Sequence, residues 1–263
     1  MRVYFQKEGE IVLYQGDAVE VLKHLPENFV DLIVTSPPYN VGKEYGDSVD
    51  DRKSYEEYLE FARGWLEGAY KVLKYGGRIA VNVPSCLQQS ARSRYAYLAF
   101  DYVRIMREVG FIDMDWVVWV KSESGLPVAN STAWGSWCSP SHPYIRDACE
   151  YIIVMAKGSK KRMDRSGKND ITPEEFKLFT TNVWVILPAR DKKHPAVFPR
   201  ELPYRLIKLY TWEGDVVLDP FAGSGTTLVV GVELSRKVVG IEIEGRFCEL
   251  AVRRLKMVVR RLV

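Results

Sequence analysis

Short apolar runs alternate along the chain with segments whose apolar residues recur at helical spacing. The runs at 30–35 and 78–83 predict buried strands, and Ser54 with Glu57 has the spacing of a capping box at the start of a helix. We expect Gly76-Gly77 to end that helix. Further strands are predicted at 112–120, 150–156, 215–219 and 237–241, and further helices at 95–109, 200–211, 226–235 and 245–262. This order predicts an α/β fold with a mainly parallel sheet and helices on both faces.

Two stretches interrupt the alternation. Residues 122–148 are irregular and rich in Ser, Pro, Gly and Trp, and residues 158–181 are first basic and then polar. Long segments without a periodic pattern are usually additions to a core rather than parts of it. We therefore predict a single domain over 1–263 that carries two inserted elements.

The charge of the chain is weak overall but uneven in its distribution. The 263 residues carry a net charge of only +3, which does not by itself indicate a nucleic-acid partner. Residues 157–168, however, hold six basic residues against one acidic residue. Such a segment can follow a phosphate backbone, although a solvated loop explains the same charge.

The cysteines and the hydropathy limit the class of protein. The four cysteines show no paired spacing, which argues against a zinc site or a disulfide framework, and we predict no metal. Reduced thiols fit a cytoplasmic protein. No stretch approaches the apolar length that crosses a bilayer, and the N-terminus has no apolar signal region, so we expect no membrane partner.

A strand, a glycine-rich turn and a helix follow one another in residues 215–227, which read DVVLDPFAGSGTT. Gly223 and Gly225 allow the backbone to approach a ligand closely, and the start of the helix suits an anionic group. Glu242 ends the next predicted strand, 19 residues after Gly223, where an acid can bind both hydroxyls of a ribose. The stretch predicts a nucleoside-binding loop that lacks the third glycine of nicotinamide binders and the lysine of a P-loop.

A second candidate site follows the buried strand at 30–35, where residues 35–40 read TSPPYN. The two prolines remove N–H donors, so the carbonyl of Ser36 or Pro37 and the Ser36 hydroxyl remain as acceptors, while Tyr39 offers an aromatic face. An exocyclic amine of a base needs acceptors for its two hydrogens, and the base needs a stacking partner outside the duplex. A rigid turn with a packed tyrosine is the structural alternative.

Together the two motifs resemble the amino-methyltransferases of DNA, whose catalytic motif is (Asp/Asn/Ser)-Pro-Pro-(Tyr/Phe) and whose cofactor motif is F-x-G-x-G. The catalytic motif lies at 36–39 and the cofactor loop at 221–225, an order similar to that of the permuted β class of restriction–modification systems. The likeness extends over about 10–121, 149–157 and 182–255. It implies a Rossmann-like S-adenosylmethionine-dependent methyltransferase fold, S-adenosylmethionine as cofactor and double-stranded DNA as partner. A homodimer and a separate cognate restriction endonuclease are compatible with this class.

The resemblance also implies roles for individual residues. Residues 16–18 match a segment that lies against the cofactor adenine, and 194–199 match one that closes over its methionine end. The implied catalytic residues are Ser36, Pro37, Pro38 and Tyr39. The implied cofactor contacts are Asp17, Ala18, Phe198, Asp219, Phe221, Gly223, Ser224, Gly225, Thr226 and Glu242. The two insertions are implied as DNA-recognition elements, with candidate contacts at Trp137, Arg146, Lys160, Lys161, Arg162 and Arg165.

The first residue of the tetrad bears on the target atom. Ser36 resembles the cytosine-N4 branch, whereas most adenine-N6 enzymes have Asp there, so we predict cytosine N4 and keep adenine N6 as the alternative. Cytosine-C5 chemistry needs a cysteine nucleophile that usually follows a proline, and the chain contains no Pro-Cys pair.

Three more distant alternatives remain. RNA and protein-glutamine methyltransferases also use Asn/Asp-Pro-Pro-Tyr tetrads but usually place the cofactor loop first. A catalytically silent DNA-binding module would keep the fold without turnover. A nicotinamide-dependent dehydrogenase is disfavoured by the missing third glycine.

Overall fold

Strands and helices alternate through the computed structural model of the chain, which describes residues 2–7, 9–40, 53–85, 87–88, 95–124, 134–145, 147–162, 167–189 and 199–262. The strands are β1 (Arg2–Lys7), β2 (Ile11–Gln15), β3 (Val30–Thr35), β4 (Leu73–Pro84), β5 (Leu87–Gln88), β6 (Tyr95–Ala96), β7 (Phe111–Val120), β8 (Cys149–Lys157), β9 (Val183–Val185), β10 (Val216–Asp219) and β11 (Lys237–Glu242). The helices are α1 (Ala18–His24), α2 (Tyr55–Val72), α3 (Leu98–Val109), α4 (Pro173–Phe179), α5 (Glu201–Tyr210), α6 (Thr226–Glu233) and α7 (Gly245–Leu262).

The main sheet is mixed, with a parallel centre. Its strand order over the described residues is β1-β2-β11-β10-β3-β4-β8-β7-β9. The block from β2 to β4 is parallel throughout. Antiparallel pairs of β1 with β2, β4 with β8 and β8 with β7 flank that block. The prediction of a mainly parallel sheet is therefore confirmed for its centre, and the antiparallel strands at the two sides account for the mixture.

Helices cover both faces of the sheet, as predicted. Consecutive strand residues point to opposite faces. Ile33 accordingly packs with Trp65 of α2 in a core shared with α1 and α3. Its neighbour Leu32 packs with Ile207 of α5 on the other face, where α6 and α7 also lie over the sheet. Among the described helices none is long and apolar enough to span a bilayer.

The start of α2 is confirmed, but its predicted end is wrong. Ser54 and Glu57 form the reciprocal capping box, with bonds of 2.9 Å and 3.2 Å. The helix ends at Val72, and the backbone passes directly into β4, so Gly76-Gly77 lies within a strand. Gly76 has φ +77°, and a Cβ there would lie 2.9 Å from the backbone oxygen of Lys161. The glycine accommodates that close backbone approach instead of ending the helix.

Seven elements were not predicted, because each is short or lies in a segment without clear periodicity. They are β1, β2, β5, β6, β9, α1 and α4, and β6 replaces the start of the helix predicted over 95–109. Helix α4 lies inside the second insertion and begins with a capping box between Thr172 and Glu175. That insertion is fastened to the core, because Lys208 of α5 binds Glu175 at 2.9 Å and Arg236 binds Asp170 at 2.7 Å. The part of 158–181 that the structure describes is therefore not an irregular loop.

Candidate active site

The parallel strands place both sequence motifs at one edge of the sheet. Thr35 ends β3, Asp219 ends β10 and Glu242 ends β11. These strands are neighbours and run in the same direction, so their carboxyl ends meet. Ligands of open α/β sheets bind at such an edge.

The tetrad turns away from β3 with its serine and tyrosine in contact. The Ser36 Oγ lies 2.6 Å from the Tyr39 hydroxyl oxygen. Pro37 is buried, whereas Ser36, Pro38 and Tyr39 are half-buried. The Pro38 carbonyl accepts a 2.8 Å bond from the Tyr58 hydroxyl of α2, while no donor among the described residues binds the Pro37 carbonyl. The rigid backbone thus keeps one carbonyl and one hydroxyl for a ligand.

Asn40, the residue after the tetrad, fixes its outgoing backbone. Its φ is +58°, a left-handed conformation that asparagine tolerates better than most residues. Its side chain donates to the Lys53 carbonyl and accepts from the Lys53 amide, both at 2.8 Å. The two ends of the chain that flank 41–52 are therefore joined beside the tetrad.

A polar cluster that was not predicted surrounds the Tyr39 hydroxyl. Asn82 of β4 donates to the Tyr39 oxygen at 2.9 Å and to Glu150 Oε2 at 2.5 Å. The hydroxyl hydrogen of Tyr39 faces two acceptors, the backbone carbonyl of Asn82 at 3.1 Å and Glu150 Oε2 at 3.3 Å. Lys121, just after β7, forms an ion pair with the other oxygen of Glu150. The sequence offered one signal for this cluster: Asn82 and Lys121 lie near the ends of two predicted strands, and Glu150 begins a third.

Glu242 is the acid of the predicted nucleoside site. Its Oε2 accepts from the Gly223 amide at 2.7 Å, and its Oε1 accepts from the Glu244 amide at 2.9 Å. Burial raises the pKa of Glu242 to about 7, against the opposing effect of these two bonds. Each carboxylate oxygen has two acceptor positions and uses one on the backbone, so each can still accept from a ribose hydroxyl.

The glycine loop packs closely on the helices that flank it. Gly225 has φ +77°, and a Cβ there would lie 2.8 Å from the Cβ of Ala251 in α7. Phe221 packs edge-on against Trp65 of α2 at 5.3 Å between ring centroids. Asp219 accepts from the Phe221 amide at 3.1 Å, and burial raises its pKa to about 6.

Two predicted cofactor contacts turn their side chains toward the protein. Arg254 of α7 donates to the carbonyl and the hydroxyl of Ser224 at 2.7 Å and 2.8 Å, and to the Thr226 hydroxyl at 3.1 Å. The side chains of Ser224 and Thr226 therefore help to hold the loop, and the backbone amides at the start of α6 suit an anionic group of a ligand.

The segment with Asp17 and Ala18 lies beside the same edge. The Gly16 amide donates to the Glu242 carbonyl at 3.0 Å, which joins the end of β2 to the end of β11. Asp17 is the N-cap of α1 and accepts from the Glu20 amide at 3.1 Å, and Ala18 is buried. With Glu242 and the glycine loop, these residues form a donor and acceptor set that fits a nucleoside with a charged tail, as S-adenosylmethionine has.

The predicted DNA contact at Arg162 is wrong. Its guanidinium is buried, 2.8 Å from Asp31 Oδ1 and 2.5 Å from Asp215 Oδ2, and stacks over the Trp212 ring at 4.3 Å. These partners lie near the amino ends of β3 and β10, at the edge of the sheet opposite to the tetrad. Positive charge in the sequence therefore marked a structural ion pair at this position.

Lys160 and Lys161 are exposed but lie at that same far edge, where their carbonyl groups contact β4. Arg146, Arg165, His194 and Phe198 lie outside the described residues. None of the basic candidates that the structure describes is brought next to the tetrad.

The described part of the first insertion is a small hairpin that starts at Trp134. Ser136 donates to the His142 carbonyl at 2.9 Å, and Tyr144 donates to the Trp134 carbonyl at 3.0 Å. Trp137 packs edge-on against Trp134 at 4.8 Å and is 67% exposed. Hairpin and core together line an open cleft of about 480 Å³. Its wall is largely aromatic and includes Tyr97, Phe100, Trp116, His142, Tyr144 and Tyr151.

This geometry defines a class: a nucleoside-binding α/β fold with an acceptor tetrad for an amine. A family model described as "DNA methylase", of the N6/N4 type, matches residues 30–253. The chain belongs to this family. The match spans most of the chain, so the RNA, protein-glutamine and dehydrogenase alternatives are set aside.

Individual relatives agree. Type II methyltransferase M.HpaI of Haemophilus parainfluenzae is 31% identical over 91% of this chain and 72% of its own length. M.MjaVI of Methanocaldococcus jannaschii is 38% identical over 72% of this chain and 91% of its own. The solved structure of DNA modification methylase TTHA0409 from Thermus thermophilus, complexed with S-adenosyl-L-methionine, has a TM-score of 0.74 and 30% identity and covers 94% of this chain and 93% of that one. The chain is an S-adenosylmethionine-dependent DNA methyltransferase that acts on an exocyclic amine, cytosine N4 or adenine N6.

Proposed function

We propose that the target atom is the N4 amine of a cytosine in double-stranded DNA. The observation that carries this proposal is the Ser36 hydroxyl, 2.6 Å from the Tyr39 hydroxyl at the edge of the sheet where the cofactor loop also ends. A serine at this position is typical of the cytosine-N4 branch. Adenine N6 is the second candidate, because YhdJ of Escherichia coli, named a DNA adenine methyltransferase, is 28% identical over 95% of the chain.

In this proposal the chain binds the cofactor with the residues at the ends of β2, β10 and β11. Glu242 accepts from the ribose hydroxyls, Asp17 and Ala18 lie against the adenine, and the backbone from Phe221 to Thr226 with Asp219 contacts the methionine end. When bound, S-adenosylmethionine supplies an electrophilic methyl group. The buried carboxylate of Glu242 would make its hydrogen bonds in a water-poor setting, where they are stronger than in water.

The tetrad would bind the flipped base. The Ser36 hydroxyl and the Pro37 carbonyl accept the two amine hydrogens, and the ring of Tyr39 stacks on the base. Pro38, bound by Tyr58, keeps the backbone of the tetrad in place. Since little covalent chemistry falls to the protein, the rate depends mainly on this positioning.

We propose that the hairpin from Trp134 contributes to DNA recognition. The exposed ring of Trp137 and the aromatic wall of the adjoining cleft can stack on bases or pack against the sugar–phosphate backbone. Arg146 and Arg165 stay candidate contacts by sequence, whereas Lys160 and Lys161 lie at the far edge and are not included in this surface.

One experiment tests the target atom. Mixed-sequence duplex DNA is incubated with the protein and labelled S-adenosylmethionine, and the nucleosides are identified by mass. We expect N4-methylcytosine, lost in Ser36→Ala and Tyr39→Ala but kept in Ser159→Ala, whose hydroxyl bonds to the Lys161 backbone at the far edge of the sheet. N6-methyladenine as the product would overturn the cytosine assignment, and unchanged rates in both tetrad variants would overturn the role of the tetrad.

The assembly of the protein stays a prediction. A homodimer and a separately acting cognate restriction endonuclease would both be typical of the class, and the relatives named Type II methyltransferases support the second. Sedimentation of the purified chain tests the first, and protection of methylated DNA against a nuclease of the same sequence specificity tests the second. The cytoplasmic location is a prediction from the thiols alone.

A further inference from the structure

Methylation of a neutral exocyclic amine leaves one proton to be removed. The amine nitrogen forms a bond to the methyl carbon as the carbon–sulfur bond breaks, and the product becomes neutral only when one N–H proton leaves. A tetrad that began with Asp would offer a carboxylate for that proton. This chain has Ser36 instead, and neither a serine nor a tyrosine hydroxyl takes up a net proton near neutral pH.

The hydroxyl groups of the tetrad are connected to a carboxylate outside it. Asn82 donates to the Tyr39 oxygen at 2.9 Å, and Ser36 lies 2.6 Å from the same oxygen. If Ser36 donates its hydrogen there, its own oxygen is left as an acceptor toward the base. Tyr39 then donates onward to Glu150 Oε2 at 3.3 Å or to the Asn82 carbonyl at 3.1 Å. Of these two acceptors only the Glu150 carboxylate can take up a proton.

We propose that Glu150 is the final acceptor of the amine proton, which reaches it through the hydroxyl groups of Ser36 and Tyr39. The proton of the amine passes to Ser36 Oγ, the Ser36 hydrogen passes to the Tyr39 oxygen, and the Tyr39 hydrogen passes to Glu150 Oε2. Both hydroxyls are restored, and the charge of the carboxylate is neutralised. The proposal rests on methylation of an exocyclic amine by the tetrad but holds for cytosine and adenine alike.

The surroundings of Glu150 suit this role. Its side chain is 12% exposed, so a proton can pass on to water after each turnover. Lys121, which follows β7, pairs with Oε1 of Glu150, so Oε2 is left to bind Asn82 and Tyr39. Among the described residues, the titratable groups that bind the carboxylate are Lys121 and Tyr39, and its third partner, Asn82 of β4, is uncharged. Glu150 does not reach the base itself and is a positioning residue.

The test uses Glu150→Gln, which keeps the size of the side chain but cannot accept the proton, and Tyr39→Phe, which keeps the ring but breaks the relay. Glu108→Gln is the matched control, because it is the same substitution at a carboxylate that pairs with Arg104 at 3.1 Å at the end of α3. Single-turnover methylation is measured against pH. We expect the methylation rate of the wild type and of the control to rise with pH and then reach a plateau. The rates of both relay variants should be lower by on the order of a hundredfold and should rise with pH over the whole measured range.

Two further measurements separate the relay from folding and from the base assignment. Calorimetric affinity for S-adenosylmethionine and the fluorescence of 2-aminopurine at the target position should change less than about twofold in Glu150→Gln and Tyr39→Phe, within the scatter expected of independent sites. A wild-type rate and pH profile in either variant would overturn the relay, and so would a loss that equals the loss of cofactor affinity or flipping. A product other than N4-methylcytosine would alter the proposed target and leave the relay result readable.

Discussion

The Thr35 hydroxyl donates a 2.7 Å hydrogen bond to Asp219 Oδ1 and so joins two buried residues that lie 184 positions apart in the chain. Thr35 immediately precedes the tetrad, and Asp219 lies two residues before Phe221, the first residue of the cofactor loop. The two motifs are far apart in the sequence, but they lie side by side in the fold because β3 and β10 are adjacent strands. The position of the methyl-accepting site depends on the position of the methyl donor through this bond.

We expect Thr35→Val to destabilise the protein by about 1–3 kcal/mol at pH 7, because it leaves a buried carboxylate with one donor fewer. The pKa of Asp219 is raised by burial from 3.8 to about 6, so the folded state binds this proton more tightly than the unfolded state. As the pH falls below about 6, protonation of Asp219 favours the folded state. The charged carboxylate, which is the form that the Thr35 hydroxyl stabilises, then disappears.

The penalty of Thr35→Val in urea unfolding should therefore be smaller at pH 5 than at pH 7. Thr35→Val keeps the shape of the side chain and removes only the hydroxyl. Thr35→Ser keeps the hydroxyl and removes the methyl group, so its penalty should be nearly the same at the two pH values. Equal penalties for Thr35→Val at the two pH values would show that the bond to Asp219 is not the source of the effect.

A second prediction concerns the affinity for S-adenosylmethionine. Burial raises the pKa of Glu242 to about 7, and only the charged carboxylate has acceptors for both ribose hydroxyls. At pH 8, one unit above this pKa, most Glu242 side chains are ionised, and at pH 6, one unit below it, only about a tenth are. The affinity for S-adenosylmethionine should therefore weaken about tenfold between pH 8 and pH 6. Calorimetry checks this, with Glu242→Gln expected to bind weakly and with little dependence on pH. A flat wild-type profile would contradict the role of Glu242.

The two motifs could be predicted because each is local. The tetrad and the cofactor loop are both a strand followed at once by a turn, so the residues that act together are neighbours in the sequence. The parallel centre of the sheet followed from the alternation of strands and helices. The short hairpin of β1 and β2 was missed because each strand has only five or six residues and β1 has none that is buried, so the pair carries little periodic signal.

The polar cluster could not be predicted, because its members come from different strands. Asn82, Lys121 and Glu150 are separated by 29 to 68 residues and meet only through the pairings of β4, β8 and β7. At Arg162 the sequence suggested too much. A run of basic residues predicted a DNA contact there, but the number of charges does not reveal which of them pairs with a buried acid.

The buried position of Arg162 leads to a third prediction. Arg162→Met leaves Asp31 buried with less positive charge beside it, and breaking a buried pair in this way costs about 3–5 kcal/mol. Lys161→Met, at the exposed neighbouring position, should change stability by less than about 0.5 kcal/mol. Urea unfolding measures both. The salt dependence of DNA binding should be the same in both variants as in the wild type, and a shallower slope in folded Arg162→Met would restore a DNA contact.

The last prediction tests why the cofactor loop needs Gly225. Alanine there meets two obstacles, a φ of +77° and a Cβ only 2.8 Å from that of Ala251. Gly214 offers a matched control, because its φ is +87° but nothing lies within 4 Å of an added Cβ. We expect about 1 kcal/mol of destabilisation for Gly214→Ala from the backbone alone, and about 2–4 kcal/mol for Gly225→Ala, where overpacking adds to it.

Ala251→Gly combined with Gly225→Ala should recover the packing part of that loss and bring the variant close to Gly214→Ala. It should also recover part of the affinity for S-adenosylmethionine, since the loop can then return to its place against α7. If Gly225→Ala and Gly214→Ala were equally stable, the contact with Ala251 would not constrain the loop, and the glycine would be needed for its backbone conformation only.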